Sequence, residues 1–190
     1  ASTTLISQKT HKADITVEGG ATFTVTGSEY KISTVDTSLS NLAQFDLITV
    51  SGTTNNNKTF TVKSVATDGL SIVVEELVTA ETRDGSTDTT IDHVSFVSDK
   101  QKGDGYFSQP DGVHTVAYKV DTTLTGSIKM QGSLATTPTE DDFFDISGTT
   151  FTTDQSTTIS SANFTGNFVW VRAKATGITA GSITSIQLNN

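Results

Sequence analysis

Residues 46–74 read DLITVSGTTNNNKTFTVKSVATDGLSIVV, and this stretch decides the fold class. It contains three short runs of Val, Ile, Thr and Phe, which are residues that suit a pleated, half-buried surface. Polar residues 53–57 end the first run. Asp68 and Gly69 separate the second run from the third, and such a pair supplies the positive φ angles of a tight hairpin turn. The stretch therefore predicts three consecutive antiparallel strands in an all-β protein.

The composition of the whole chain agrees with this prediction. Thr makes up about a fifth of the 190 residues, and the chain has only two Pro and no Cys. Without Cys, a disulfide framework, a thiolate metal site and a cysteine nucleophile are all excluded. The net charge of -9 disfavours nucleic acid and anionic membranes as partners, because both attract clusters of Lys and Arg. No apolar run approaches the length of a membrane span. We therefore expect neither nucleic acid nor a membrane as a partner.

The strand pattern divides the chain into three parts. Residues 1–13 are polar and lack a clear period, so we expect an N-terminal arm ordered by the protein's own surface or by a neighbouring subunit. Residues 14–86 have the pattern of a small β-barrel or β-sandwich. Residues 81–90 are polar throughout and mark the boundary. In residues 87–190, about seven strands at spacings of roughly 8–20 residues predict an antiparallel, jelly-roll-like β-sandwich.

The strand near the C-terminus has two different faces. Its small aliphatic residues, which suit a core, are Val169, Val171, Ala173 and Ala175. The aromatic and cationic residues that alternate with them, and that suit a sugar or a partner subunit, are Phe168, Trp170, Arg172 and Lys174. Burial of Trp170 in a strand with two buried faces is an equally good interpretation. Tyr106 and Phe107 lie in a Gly-rich loop and are further candidates for a contact surface.

The histidines and one acidic loop are the candidates for metal ligands. His11, His93 and His114 have no metal-ligand spacing, and His114 alternates with Val116 and Tyr118, so we interpret it as a structural residue. Oxygen-rich loops bind calcium, and a loop of this kind contains Asp99, Asp104 and Asp111. Asp beside Gly is also the ordinary composition of turns, and we favour that interpretation. We expect no metal and no cofactor.

The sequence gives little support for an enzyme. The densest acidic cluster consists of Glu140, Asp141, Asp142 and Asp145. It follows Pro138, and successive strand residues point to opposite faces, so we expect a solvated turn rather than a catalytic pair of carboxylates. The chain has no Gly-x-Ser-x-Gly elbow and no Walker motif.

Several segments of the second half resemble one class of protein. They are KGDGY (102–106), DGVHTV (111–116), GSIKMQGSLAT (126–136), DFFDI (142–146), TGNFVWVRA (165–173) and TAGSI (179–183). With these segments, roughly residues 100–190 resemble virion structural proteins of marine tailed phages, especially cyanophages. The segment ITVSGTTNNN (48–57) resembles a hairpin that is common in phage particle proteins.

This resemblance implies a structural role in the virion and no catalytic residues. We therefore expect a non-enzymatic component, either an exterior capsid decoration or a neck, tail or fibre protein, assembled in the host cytoplasm. It would act through subunit–subunit contacts such as burial of apolar surface and pairing of edge strands. The expected partners are other virion proteins and the protein itself, as a trimer by resemblance to decoration and fibre proteins.

Two other functions remain open at this point. A carbohydrate-binding β-sandwich that recognises a host-surface glycan needs exposed aromatic faces, for which the candidates are Tyr30, Tyr106, Tyr118 and Trp170. A tail-associated glycan hydrolase would need two carboxylates in one cleft, about 5–10 Å apart. The fold alone does not choose among the three functions, because β-sandwiches host many roles.

Overall fold

The computed structural model describes residues 2–109 and 112–189, and within them the chain is all-β and antiparallel, as predicted. The strands are β1 (Ser2–Ile6), β2 (Lys9–Thr10), β3 (Ile15–Val17), β4 (Thr22–Thr26), β5 (Glu29–Ser33), β6 (Asp46–Ser51), β7 (Thr59–Val65), β8 (Ser71–Val74), β9 (Thr89–Phe96), β10 (Gln101–Lys102), β11 (Val113–Val120), β12 (Ser127–Ser133), β13 (Phe144–Asp145), β14 (Phe151–Thr152), β15 (Ile159–Thr165), β16 (Trp170–Thr176) and β17 (Ser182–Asn189). Two short 3₁₀ turns cover Asp104–Phe107 and Glu140–Asp142. The described part of the chain holds no helix with the length and apolar character that a membrane crossing requires.

The chain forms two compact units whose bounds differ from the expected ones. The inserted unit is Lys12–Ser95, and the terminal unit combines Ala1–His11 with Phe96–Asn190. Residues 87–95 lie in the inserted unit because β9 pairs with β3 and is the neighbour of β6. The start of the chain lies in the terminal unit because β1 and β2 pair with β17. The described part of the expected N-terminal arm is therefore largely sheet, and the inserted unit interrupts the other one in sequence.

The terminal unit is a two-sheet sandwich. Sheet I has the order β1-β17-β11-β15, with β2 also paired to β17. Sheet II has the order β10-β16-β12-β13, with β14 also paired to β12. If β1 and β2 are counted as one position and β13 and β14 as another, the unit has eight successive positions. The first then pairs with the last, the second with the seventh, the third with the sixth and the fourth with the fifth. This is the connectivity of a jelly roll.

The core of the terminal unit lies between the two sheets. In β11, His114, Val116 and Tyr118 point inward and alternate with less buried residues, as a strand with one buried face requires. In β16, Val171, Ala173 and Ala175 are buried in the core, as predicted. Val169, the fourth residue of the predicted face, precedes the strand and is half-buried.

The inserted unit contains one open sheet of seven strands. Its order is β3-β9-β6-β7-β8-β5-β4, and the three strands predicted from residues 46–74 are β6, β7 and β8. The two ends of the sheet, β3 and β4, are not paired with each other, and no closed barrel occurs in residues 2–109 or 112–189. Of the two forms predicted for this region, the closed barrel is therefore wrong. A separate core formed by residues such as Ile32, Ile48 and Phe60 fills the unit.

Candidate functional site

The exposed aromatic residues of the terminal unit are held by a 3₁₀ turn that follows β10. Gly103 N–H donates to Val169 O at 3.0 Å, and Gly105 N–H donates to Phe168 O at 2.9 Å. A Cβ on Gly105 would lie 2.5 Å from a backbone oxygen, so the close approach of the two segments requires glycine there. The turn leaves Tyr106 44% exposed and Phe107 57% exposed, as the sequence predicted for this loop.

Aromatic rings and lysines alternate in a cluster at this turn. The ring centroid of Tyr106 lies 5.2 Å from that of Phe107 and 5.3 Å from that of Trp170, both in edge-to-face geometry. Lys102 Nζ lies 4.0 Å from the Tyr106 centroid, and Lys100 Nζ lies 5.4 Å from the Trp170 centroid. Both distances are within the range of cation–π attraction. These contacts restrain the exposed rings within the chain itself.

Trp170 lies on the outer face of sheet II and is half-buried. It is paired with Lys102 on one side and Ser133 on the other. Its indole N–H donates to Thr136 O at 3.1 Å, which fastens the segment after β12 over the sheet. The N–H group of the indole ring is therefore already hydrogen-bonded within the chain.

Arg172 is an internal residue and not a free interface anchor. Its guanidinium binds both oxygens of Glu140 at 2.7 and 2.8 Å, and its Nε donates to Gln131 Oε1 at 3.0 Å. The ring of Phe143 lies 3.7 Å away, and Arg172 is only 4% exposed. Burial alone would raise the pKa of Glu140, but the hydrogen bonds and charge of Arg172 outweigh it and hold that pKa below its ordinary value.

Phe168 also differs from its predicted position, because it is 9% exposed and belongs to the core. It lies before Trp170, where β16 begins, so the alternation of that strand does not place it. Its ring centroid is 6.0 Å from that of His114 and 6.2 Å from that of Phe164. A Cβ on Gly132 would lie 2.6 Å from the ring, so that glycine makes the space that Phe168 fills.

A group of exposed apolar residues lies on segments that contact the segment around the buried Phe168. We call it the apolar end; its exposed residues are Tyr106, Phe107, Val113, Leu134 and Phe144. Ser133, which precedes Leu134, accepts the Val169 N–H at 3.0 Å. Gly112, which precedes Val113, accepts the Gly166 N–H at 2.9 Å. The Phe144 ring lies 6.0 Å from that of Phe168.

Sequence reasoning missed three members of the apolar end. Val113 is the first residue of β11 and Leu134 follows the last residue of β12, where the alternation of buried and exposed residues stops being informative. Phe144 lies in β13, which is only two residues long and has both residues exposed, so it shows no alternation. Their common property is long-range proximity to the segment around Phe168, which no local pattern shows.

The acidic cluster forms a turn in which its carboxylates serve the protein's own structure. Asp142 accepts hydrogen bonds from the backbone and hydroxyl of Thr139, which caps the short turn. Asp145 contacts Lys129 and accepts from Gln131 Nε2 at 2.9 Å. The hydrogen bonds to Thr139 lower the pKa of Asp142, and those to Lys129 and Gln131 lower that of Asp145. Asp142 and Asp145 therefore do not have the raised pKa that a general acid needs.

The other candidates for metal ligands are Asp99, Asp104, Asp111 and the histidines. Of the acidic loop, Asp104 is buried and Asp111 lies outside the described residues. The described ranges contain no group of three or more His, Cys, Asp or Glu placed to hold a metal. His114 is buried, stacks on Phe164 at 4.9 Å and lies 3.2 Å from Gly166 O through Nε2, which fits a structural role.

Of the four aromatic candidates for a sugar platform, Tyr106 is the exposed one. Tyr118 is fully buried, donates to Thr149 O at 2.7 Å, and has its pKa raised by burial. Tyr30 packs against the core of the inserted unit. The rings of Tyr106 and Trp170 are inclined by 65°, so they do not form one flat platform.

A buried ionic cluster in the inserted unit was not found from the sequence. Asp46 is fully buried, contacts Lys12 through a salt bridge, and accepts the Ala43 N–H at 2.8 Å. His93 Nε2 lies 3.8 Å from Asp46 Oδ1, and Lys12 N–H donates to His93 Nδ1 at 3.3 Å. These residues are far apart in sequence, and the cluster fastens the start of the unit to its sheet.

Comparison with known proteins gives little further information. No protein-family model matches the chain, and no curated protein sequence matches it. Among solved structures, it is similar to the K1 cleaved adhesin domain of Lys-gingipain from Porphyromonas gingivalis W83. That similarity has 8% sequence identity and a TM-score of 0.35, over 94% of this chain and 98% of that one. So low a score carries no argument about fold or function.

Proposed function

We propose that this protein is a non-enzymatic structural component of a bacteriophage particle. It would be an exterior capsid decoration or a neck, tail or fibre protein, and it would act by binding other subunits. The observation that carries the proposal is the apolar end. Grouped exposed apolar residues on a soluble domain are typical of protein–protein contact sites.

The structure of the apolar end suits a permanent contact. The Tyr106 turn is held by backbone hydrogen bonds and a cation–π contact, so its side chains would lose little conformational entropy when a partner binds. Burying a side chain such as Phe107 or Leu134 is worth roughly 1.5–3 kcal/mol. The resemblance of residues 100–190 to virion proteins supports assembly into a particle as the biological setting.

Incorporation into particles tests the proposal. The protein would be supplied in trans to cells infected with a phage that lacks its own copy, and purified particles would be probed with an antibody. We expect wild-type protein in the particles and loss of the double variant Phe107→Ser/Leu134→Ser. Leu77→Ser is the matched control, because Leu77 is also exposed but lies in the inserted unit. Absence of the wild-type protein from particles would overturn the proposal.

The glycan-binding alternative rests on Tyr106 with its neighbouring lysine. A sugar ring stacks on an exposed aromatic face, and Lys102 could donate to its hydroxyl groups. Screening on a broad glycan array distinguishes this alternative. Binding that is lost in Tyr106→Ala but kept in Leu134→Ser would favour glycan recognition over subunit contact.

A further inference from the structure

Strand β15 leaves one edge of sheet I open. It lies at the end of the sheet order, and within residues 2–109 and 112–189 it pairs with β11 alone. An open edge presents unpaired backbone N–H and C=O groups to any strand that can align with it.

The hydrogen bonds at the two ends of β15 show which groups are free. Val120 N–H donates to Thr158 O, and Gly166 N–H donates to Gly112 O, both at 2.9 Å. In an antiparallel ladder every second residue bonds to the same neighbour, so the even-numbered residues of β15 bond to β11. The residues whose backbone groups face the open edge are therefore Ile159, Ser161, Asn163 and Thr165, and all four are exposed.

The sequence of β15 does nothing to protect this edge. Its seven residues, ISSANFT, include no charge and no Pro, which are the usual devices against edge pairing. Ile159 is 62% exposed at its start. The length and composition of β15 therefore allow another strand to pair with it.

Other edges in the described ranges are blunted. Glu81 covers β4, since its backbone exchanges hydrogen bonds of 2.7 and 3.0 Å with Phe23. β2, β10, β13 and β14 have two residues each, and β3 has three. β1, at the opposite end of sheet I, has an irregular register between Thr4 and Ile6 that breaks its line of pairing.

We propose that a second copy of this chain pairs with β15 through its own β15, antiparallel across a two-fold axis. The chain has a net charge of -9, so two copies repel each other over most of their surfaces. An uncharged strand avoids that repulsion where the copies are closest, and the outward residues Val113, Thr115 and Ala117 of the adjacent β11 are also uncharged. The inference deepens the proposed function by naming one of the subunits that the protein binds.

The register of this pairing follows from its symmetry. Full overlap of two antiparallel seven-residue strands places Ala162 opposite itself, Ser161 opposite Asn163, and Ile159 opposite Thr165. This register brings the free groups of each strand opposite those of the other. The resulting contact is two-fold, so it produces a dimer where the resemblance to fibre proteins led us to expect a trimer.

Charge placement tests the contact and its register together. In Ser161→Lys/Asn163→Lys, like charges lie opposite each other twice, and we expect the dimer dissociation constant to rise at least about tenfold. In Ser161→Lys/Asn163→Glu, opposite charges meet and the dimer should form again. Thr184→Lys/Gln187→Lys adds the same charge to exposed positions of the interior strand β17, so it should dimerise like wild type.

The measurement is solution mass by light scattering and sedimentation velocity over a concentration series, beside thermal unfolding to confirm that every variant folds. We expect wild-type protein to reach twice the chain mass of 20.0 kDa. A wild type that stays monomeric, a trimer, or a Lys/Lys variant that associates like wild type would each overturn the inference. A monomer that still enters particles would remove the β15 contact but keep the proposed function. A dimer that is absent from particles would keep the β15 contact but remove the proposed function.

Discussion

The two sheets of the terminal unit share one core, but their outer faces differ in charge. The outer side of sheet II and its flank carry five of the chain's 12 Lys and Arg residues, namely Lys100, Lys102, Lys129, Arg172 and Lys174. Glu140, Asp145 and the segment around Phe143 cover or pair with part of this face. On sheet I, the outward residues of β1, β17, β11 and β15 are uncharged apart from Lys119.

This difference separates a surface that the chain satisfies by itself from one that it does not. On sheet II, charges and ring edges find partners in the same chain, so that surface contributes to folding. On sheet I, the free backbone groups of β15 have partners only in water or in another strand. We call the outer side of sheet II the completed face, because its groups have partners within the chain. We call the outer side and open edge of sheet I the available face, because the free groups of β15 do not.

The largest expected effect comes from removing the centre of the completed face. Arg172→Ala leaves Glu140 and Gln131 without their partner and Phe143 without its cation, and we expect a loss of about 3 kcal/mol in the free energy of unfolding. Urea unfolding measures it. Lys174→Ala on the same strand face is the control and should cost less than about 1 kcal/mol. Equal effects of the two variants would contradict the picture of an organised face.

A pH series examines the same pair without deleting a side chain. The pKa of Glu140 is lowered, so its contribution to stability is present above the ordinary value of 4.5 and is lost as the pH falls through the folded-state pKa. Glu140→Gln should cost about 1.5 kcal/mol at pH 7, near the low end for a charged hydrogen bond because the carboxylate is 36% exposed.

The measurement is urea unfolding of both proteins from pH 7 down to pH 3. The difference between wild type and Glu140→Gln should shrink as the acid protonates Glu140 in the wild type. Asp141→Asn, one residue away and exposed, serves as the control for general effects of charge. A difference that stays constant with pH would show that the Glu140 charge is not what stabilises the face.

A smaller effect is expected where the completed face meets the apolar end. Trp170→Phe keeps an aromatic ring beside Tyr106 but loses the N–H that binds Thr136 O, and we expect a cost of about 1 kcal/mol. Tyr106→Phe, which removes an exposed hydroxyl, should change stability by less than about 0.5 kcal/mol. Hydrogen exchange of residues 134–143 should rise in Trp170→Phe, and unchanged exchange would argue against the anchoring role of the indole.

The strands that sequence reasoning found are those with a local signal. β6, β7 and β8 alternate Val, Ile and Thr around recognisable turns, and β11 and β16 have one aliphatic face. β1 has no such signal, because Leu5 and Ile6 are both buried and its partner lies at the other end of the chain, with Ser2 opposite Asn189. Pairing over that distance depends on the finished sandwich, so the sequence predicted an arm ordered by its surroundings and did not predict strands there.

The candidate surface shows the same division between local and distant information. A Gly-rich loop predicted that Tyr106 and Phe107 would be exposed, and they are. The burial of Arg172 depends on Glu140, which precedes it by 32 residues, and that of Phe168 depends on space left by Gly132 and Gly166. An alternating pattern shows that a residue faces away from one core but not whether another segment covers it.

The smallest predicted effect concerns the available face, where a substitution should leave the stability of the single copy nearly unchanged. Ser161→Lys places a charge on an exposed side chain that makes no contact needed by a single copy, so the monomer's free energy of unfolding should change by less than about 0.5 kcal/mol. Urea unfolding at low protein concentration measures this. Ser160→Lys is the matched control, because residue 160 points toward the core and should destabilise the monomer more. A large loss in Ser161→Lys would mean that the edge of β15 serves folding, and the contrast between the two faces would then disappear.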